Sequence, residues 1–231
     1  MKTFLDWMQK KLVPLASMLG KNKYLTSLRD GMMIAFPATM FGAIMVILQN
    51  LPQTFGFAKF LSPGVLKFFN DFFAPVGNAT MNISAMFIAF GVAYQLASHY
   101  KQSKVFAGAI SLSCFLMMTL VGTDKTQGAF FPITQLGAQG MFVAIITALV
   151  SSEIYCHISM ANITIKLPDS VPPMIGQSFV AIIPGAVPLL LANIIRYVFT
   201  FTPYKDAIDF IYKVLQQPLM GLGDTLPAVL I

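Results

Sequence analysis

Charge is scarce in this sequence. Asp, Glu, Lys and Arg make up 10% of its 231 residues, against roughly 25% in an ordinary soluble domain. Five stretches carry none at all: 31–58, 72–98, 105–123, 126–152 and 170–195. Each is of about 20 residues or more, the length an α-helix needs to cross the hydrocarbon layer. Backbone groups in lipid must be bonded within their own segment, so runs of this kind are expected to be membrane-spanning helices. Five buried runs in so short a soluble chain would leave almost nothing for its surface. The expected class is therefore an all-α integral membrane protein with five transmembrane helices.

Cysteine and histidine are also rare, with two of each. Cys114 falls in the third run and Cys156 in the connection after the fourth, which leaves no CxxC pair and no disulfide framework. His99 and His157 stand apart, without HExxH spacing, and read as interfacial residues near span ends. No metal site or cofactor is expected. The sequence has no GxxxxGK[ST] phosphate loop and no nucleophile elbow, so ATP-driven transport or hydrolysis has no support. No Asp, Glu, Lys or Arg interrupts a run, which argues against an ion-coupled carrier or channel. The first thirty residues lack the apolar core and small-residue cleavage site of a signal peptide.

Hydrophobic residues make up 56% of the chain, with 21 Phe and 15 Met, and mean hydropathy is +0.72. The net charge of +6 is informative mainly by place. Lys2, Lys10, Lys11, Lys21, Lys23 and Arg29 precede the first run, against Asp6 and Asp30. This excess predicts a cytoplasmic N-terminus. Alternation then puts Lys101, Lys104 and residues 153–169 inside, and Lys59, Lys67, Arg196, Lys205 and Lys213 outside. The basic residues are not clustered with stacking aromatics, so no nucleic-acid surface is expected. In the arm 1–30, Phe4, Met8, Leu12, Leu15 and Leu19 recur at helical spacing. That fits a helix lying on lipid, and equally a lead-in helix packed on its own protein.

Several runs contain breakers: Pro37 in the first, Pro75 and Gly77 starting the second, Pro132 starting the fourth, Pro184 and Pro188 in the fifth. Carriers use broken helices to line sites, although proline is also common in membrane helices generally. Asn78 and Asn82, one turn apart, are expected to bond across helices. The connection beyond Glu153 contains Ile165-Lys166-Leu167-Pro168-Asp169-Ser170-Val171-Pro172-Pro173, where closely spaced prolines force an extended backbone. The alternation of Ile163, Ile165 and Leu167 resembles a short strand. Further on, Tyr204, Ala207, Ile208, Ile211, Tyr212 and Leu215 form an apolar stripe opposite Lys205, Asp206, Asp209 and Lys213. With Thr202 as cap and Pro203 at the first position, a surface amphipathic helix is predicted within 197–218.

These segments carry a resemblance. Leu25-Thr26-Ser27-Leu28-Arg29-Asp30-Gly31 followed by Pro37, and the proline-rich stretch followed by Ser178-Phe179 and Ile183-Pro184, are similar to the membrane component (enzyme IIC) of the bacterial sugar phosphotransferase system, lactose/cellobiose group. The chain resembles the N-terminal half of that family. The resemblance implies a homodimeric carrier with roughly twice the spans seen here. Residues 31–196 would be its dimerisation domain, 197–218 a linker helix, and 219–231 the start of a second half that holds the sugar. Members move a disaccharide such as cellobiose, lactose or chitobiose inward, where a phosphorylated cytoplasmic subunit (enzyme IIB) phosphorylates it. The sugar-contacting histidine and glutamate belong to the second half, so no residue here receives a catalytic or substrate-binding role. The abrupt apolar ending Leu226-Pro227-Ala228-Val229-Leu230-Ile231 is expected to mark a fragment, with a transport-inactive scaffold as the alternative. Within 153–169 and just beyond, Lys166, Asp169, Pro172 and Pro173 are the candidate docking residues for the partner subunit.

Overall fold

The computed structural model of the chain describes residues 20–124, 128–165, 172–204 and 206–216. The expected arm below residue 20 and the start of a second half at 219–231 lie outside the described residues, as do Lys166 and Asp169.

Helix α1 spans Lys23–Thr54. After a 3-10 turn (Phe57–Phe60), α2 spans Pro63–Asn78 and continues through a second 3-10 turn (Met81–Ile83) into α3, Ser84–His99. Helix α4 spans Lys104–Met118, followed by an antiparallel hairpin of β1 (Gly122–Asp124) and β2 (Gly128–Phe130), with Thr123 opposite Ala129. The short α5 (Ile133–Leu136) leads into α6, Met141–Met160. Helices α7 (Pro173–Val180) and α8 (Ile182–Phe199) follow, then α9 (Ala207–Ile211) with a π-helical turn, Tyr212–Gln216.

Among the described residues four stretches are long and apolar enough to cross a membrane: Lys23–Thr54, Pro63–His99, Ala138–Met160 and Ile175–Phe199. The third expected run yields instead the 15-residue α4, about 22 Å long where the hydrocarbon layer is about 30 Å. Absence of charge does not separate helix from hairpin, and here the apolar residues after Met118 turn into β1. Similarly, the described part of the fourth run does not open in a long helix: β2, Pro132 and Gly137 come first, and the long helix starts at Met141. At its other end α6 runs past the expected stop to Met160, so Cys156 is buried inside a helix and not in a connection. The second span starts at Pro63 rather than at Pro75, carrying Lys67 on its exposed side.

Helix α3 is the axis of the bundle, packed by α1, α4 and α6. Its small residues Ala85, Ala89, Ala93 and Ala97 are fully buried, which lets neighbouring backbones approach. Two hydroxyls then reach its carbonyls: Ser111 Oγ donates to Ala89 O (2.8 Å) and Ser152 Oγ to Ala93 O (3.1 Å). The break between α7 and α8 at Ala181 has a covalent cause. Pro184 lacks an N–H and its ring opposes the carbonyl of Val180, the last residue of α7.

The surface helix also differs from expectation. Thr202 is not its cap; its hydroxyl donates to Phe199 O and closes α8. Asp206 is the cap, accepting from Asp209 N–H at 2.7 Å, and the helix begins at Ala207 instead of Pro203. Ala207 and Ile208 are buried against the bundle core. Asn78 and Asn82 bond each other at 2.7 Å rather than a facing helix. Residues 163–165 form no strand.

Candidate functional site: a polar hub at one end of the bundle

Helix α1 opens with a real cap. The Asn22 side chain accepts from the N–H groups of Tyr24 (2.9 Å) and Leu25 (3.3 Å), two donors that would otherwise be orphaned. This fixes Lys23 and Tyr24 in the first turn. Helix α3 ends at the same level with His99 and Tyr100, and Lys101 turns the chain with φ 56°. Helix α6 brings Glu153 and, one turn later, His157 to the same end.

These side chains converge on one oxygen. Glu153 Oε1 accepts from Lys23 Nζ at 3.2 Å, from Tyr24 OH at 3.0 Å and from Tyr100 OH. Lys23 Nζ also donates to Tyr100 OH and lies 4.2 Å from the Tyr100 ring centre. His157 Nδ1 is 3.7 Å from the same oxygen and 2.9 Å from Glu153 O. The second oxygen, Oε2, is buried and has no partner among the described residues. Burial pushes the Tyr100 phenol above the ordinary tyrosine value, and the adjacent Glu153 carboxylate adds to the shift. Around the hub, Thr26 Oγ1 meets His99 Nε2 at 3.2 Å and Ser159 donates to Gln102 Oε1 at 2.7 Å. The hub therefore ties the start of α1 to the ends of α3 and α6.

The expected docking segment lies beyond the same end of α6. Of its candidate residues, Pro172 is the extended residue before α7 (φ −53°, ψ 138°) and Pro173 opens that helix; both are exposed. The hub itself was not anticipated from the sequence, which placed Glu153 at the start of a loop. A signal was present: a lone carboxylate at a span end needs an opposite charge at the same level. Alternation placed Lys23 on that side.

A cavity of about 220 Å³ lies between α4, α6, α8 and α9, with Met118, Val143, Leu191, Ala192 and Phe199 in its walls. Its lining is almost wholly apolar, whereas a sugar needs several placed hydrogen-bonding groups. It is not a sugar cradle. Among the described residues no group of three His, Cys, Asp or Glu converges as a ligand set.

Residues 29–223 match the protein-family model described as Phosphotransferase system, EIIC. The oligo-beta-mannoside-specific EIIC component of Bacillus subtilis (strain 168) is 41% identical over 224 residues, covering 95% of this chain and 50% of the relative. The cellobiose-specific EIIC component of Geobacillus stearothermophilus is 36% identical, with 96% and 51% covered. The crystal structure of the transporter ChbC, the IIC component from the N,N'-diacetylchitobiose-specific phosphotransferase system, superposes with a TM-score of 0.82 at 33% identity, covering 94% of this chain and 52% of that one. More distant relatives include lactose-specific EIICB components of staphylococci. The chain spans about half the length of the curated relatives it matches. From the helical bundle, the motif segments and this similarity along nearly its whole length, the chain belongs to the EIIC family of the phosphotransferase system.

Proposed function

We propose that this chain is the scaffold half of a sugar permease that moves a disaccharide of the cellobiose, lactose or chitobiose class across the cell membrane, coupled to phosphorylation by a cytoplasmic EIIB subunit. One observation carries the reading: similarity runs through nearly all of this chain yet reaches only half of each relative. The sugar-handling residues are then assigned to the remaining half. The almost wholly apolar cavity agrees with that division of labour.

In this reading α4 counts as a fifth, short span, and the N-terminus with the Glu153 hub faces the cytoplasm. The hub holds the inner ends of α1, α3 and α6 in register, and the segment from 161 to Pro173 presents Lys166, Asp169, Pro172 and Pro173 to the EIIB subunit. The arm formed by α2 against the second half of α1, held by the Gln49–Asn70 hydrogen bond (3.1 Å), exposes Phe55, Phe60, Phe68 and Phe72. Paired with a second copy, these aromatics would leave lipid, as expected of a homodimer.

Donor-dependent sugar phosphorylation tests the proposal. Membranes bearing a version extended to the length of the relatives should phosphorylate cellobiose or chitobiose when given the phosphorylated partner. Membranes bearing the 231 residues alone should not. Uptake that follows an ion gradient and ignores the phosphoryl donor would sink the transporter reading. Failure of the extended version with every disaccharide would favour the transport-inactive scaffold. For the docking segment, unchanged EIIB affinity after Lys166→Glu and Asp169→Lys in the extended version rules the assignment out.

A further inference from the structure

At the end of the bundle opposite the hub, a crevice of about 210 Å³ opens between α4 and α8. Its walls are Leu116, Met117, Val121 and Phe131, with Asn193 and Arg196 along one edge. Arg196 lies in the last turn of α8 and is exposed; it has no ion pair among the described residues. The Asn193 amide is exposed too and makes no side-chain hydrogen bond among them. Asp206 borders an adjoining cavity with Arg196, yet both its oxygens are engaged, Oδ1 by Asp209 N–H and Oδ2 by Gln135 Nε2. Among the described residues it makes no ion pair with Arg196.

An unpartnered guanidinium and primary amide on a membrane helix call for acceptors from outside. Residues i and i+3 share a face, so the two groups stand one above the other, about 4.5 Å apart along the axis. Arg196 is nearer the helix end and Asn193 is deeper. Beside both lies a greasy trough. Two unpartnered donors thus stand against an apolar wall formed by the last turn of α4 and the segments that follow it, a pairing that a phospholipid headgroup and its acyl chain would fill.

We propose that Asn193, Arg196 and this crevice form a binding site for an anionic phospholipid. The guanidinium takes the phosphodiester through its paired N–H donors. The Asn193 amide donates to the glycerol ester carbonyl, and one acyl chain lies against Leu116, Met117, Val121 and Phe131. The charge match selects an anionic headgroup over a zwitterionic one, whose own cation competes with Arg196.

The test uses the purified 231-residue chain, delipidated in detergent and then offered palmitoyl-oleoyl phosphatidylglycerol or phosphatidylcholine, so that the acyl chains are constant. Retained lipid is counted by native mass spectrometry. The wild-type chain should hold one phosphatidylglycerol in preference to phosphatidylcholine. Arg196→Gln should weaken phosphatidylglycerol retention by about tenfold, the scale of one lost charge-assisted pair. Arg196→Lys, which keeps the charge but not the fork, should fall between. Asn193→Leu should weaken both lipids, because the ester is common to both. Lys101→Gln, which removes a charge at the opposite end, should change nothing. Equal retention by wild type and both Arg196 variants overturns the proposal. So does an equal loss with Lys101→Gln, which would mean unspecific charge attraction. Displacement by glycerol 3-phosphate also overturns it, since a free headgroup would then suffice.

Discussion

A Cβ built on Gly91 would lie 2.4 Å from the carbonyl oxygen of Gly31, and one built on Gly31 would lie 2.5 Å from Val92 Cα. Helices α1 and α3 thus meet backbone to backbone, with no room for a side chain on either. Gly31 closes the Leu28-Arg29-Asp30-Gly31 segment, and the crossing gives that motif a physical meaning. Arg29 and Asp30 form an exposed pair at 2.7 Å on the outer side, while the glycine is buried on the inner side.

Gly31→Ala and Gly91→Ala should each destabilise the bundle by about 1–3 kcal/mol, because the clash is with backbone and cannot be relieved by a rotamer change. Gly64, near the start of α2, has nothing within 4 Å of its missing Cβ, and Gly64→Ala should be neutral or slightly stabilising. Thermal midpoints in detergent check the contrast. Equal midpoints for Gly31→Ala and Gly64→Ala would refute the close crossing.

Much of this architecture was legible in the sequence because lipid imposes a coarse rule: where charge is missing for long enough, a helix spans. Four of the five runs correspond to long apolar helices for that reason. The same rule was blind where an apolar stretch turns back on itself, as after Met118 and around Pro132. It was also blind to helices that continue through a charge. Helix α6 passes Glu153 because donors from two other segments gather on the carboxylate, a tertiary fact that periodicity within one segment does not carry. The surface helix shows the same limit. Its apolar stripe was readable, but its start was set by Asp206, whose carboxylate is held by a glutamine 71 positions away in the chain.

Removing the hub carboxylate should loosen the hub-side ends of three helices together. Glu153→Gln should cost about 1 kcal/mol, at the low end for a charged hydrogen bond because Lys23 still reaches water. In a double-mutant cycle with Lys23→Met, a coupling of about 0.5–1 kcal/mol is expected. Strict additivity of the two single variants would show that the pair does not act as one unit.

Alkaline pH should act through the same hub. The folded-state pKa of Tyr100 is raised, chiefly by burial and further by Glu153. A raised value means that its contribution is fully present below the unfolded tyrosine value of about 10 and is lost as pH climbs through the folded one. Stability measured upward from pH 9 should therefore fall less steeply in Tyr100→Phe than in the wild type. Parallel curves would remove Tyr100 from the account.

The segment after α8 is held by a chain of three hydrogen bonds. Leu120 N–H donates to Gln135 Oε1 (2.8 Å), Gln135 Nε2 donates to Asp206 Oδ2 (2.9 Å), and Asp206 Oδ1 caps α9 through Asp209 N–H (2.7 Å). Asp206 is 7% exposed, so a lost partner there is not replaced by water. Asp206→Asn keeps one acceptor and turns the other into a donor. The amide can cap α9 or meet Gln135, but not both, and the expected cost is about 1–2 kcal/mol. Gln135→Glu on that background offers oxygens to both Leu120 N–H and the new amide, and should recover most of the loss. Hydrogen exchange at 207–211 reads the effect locally: faster in Asp206→Asn, slower again in the double variant. If Gln135→Glu rescues nothing, the link between the hairpin side of the bundle and α9 does not run through these two side chains.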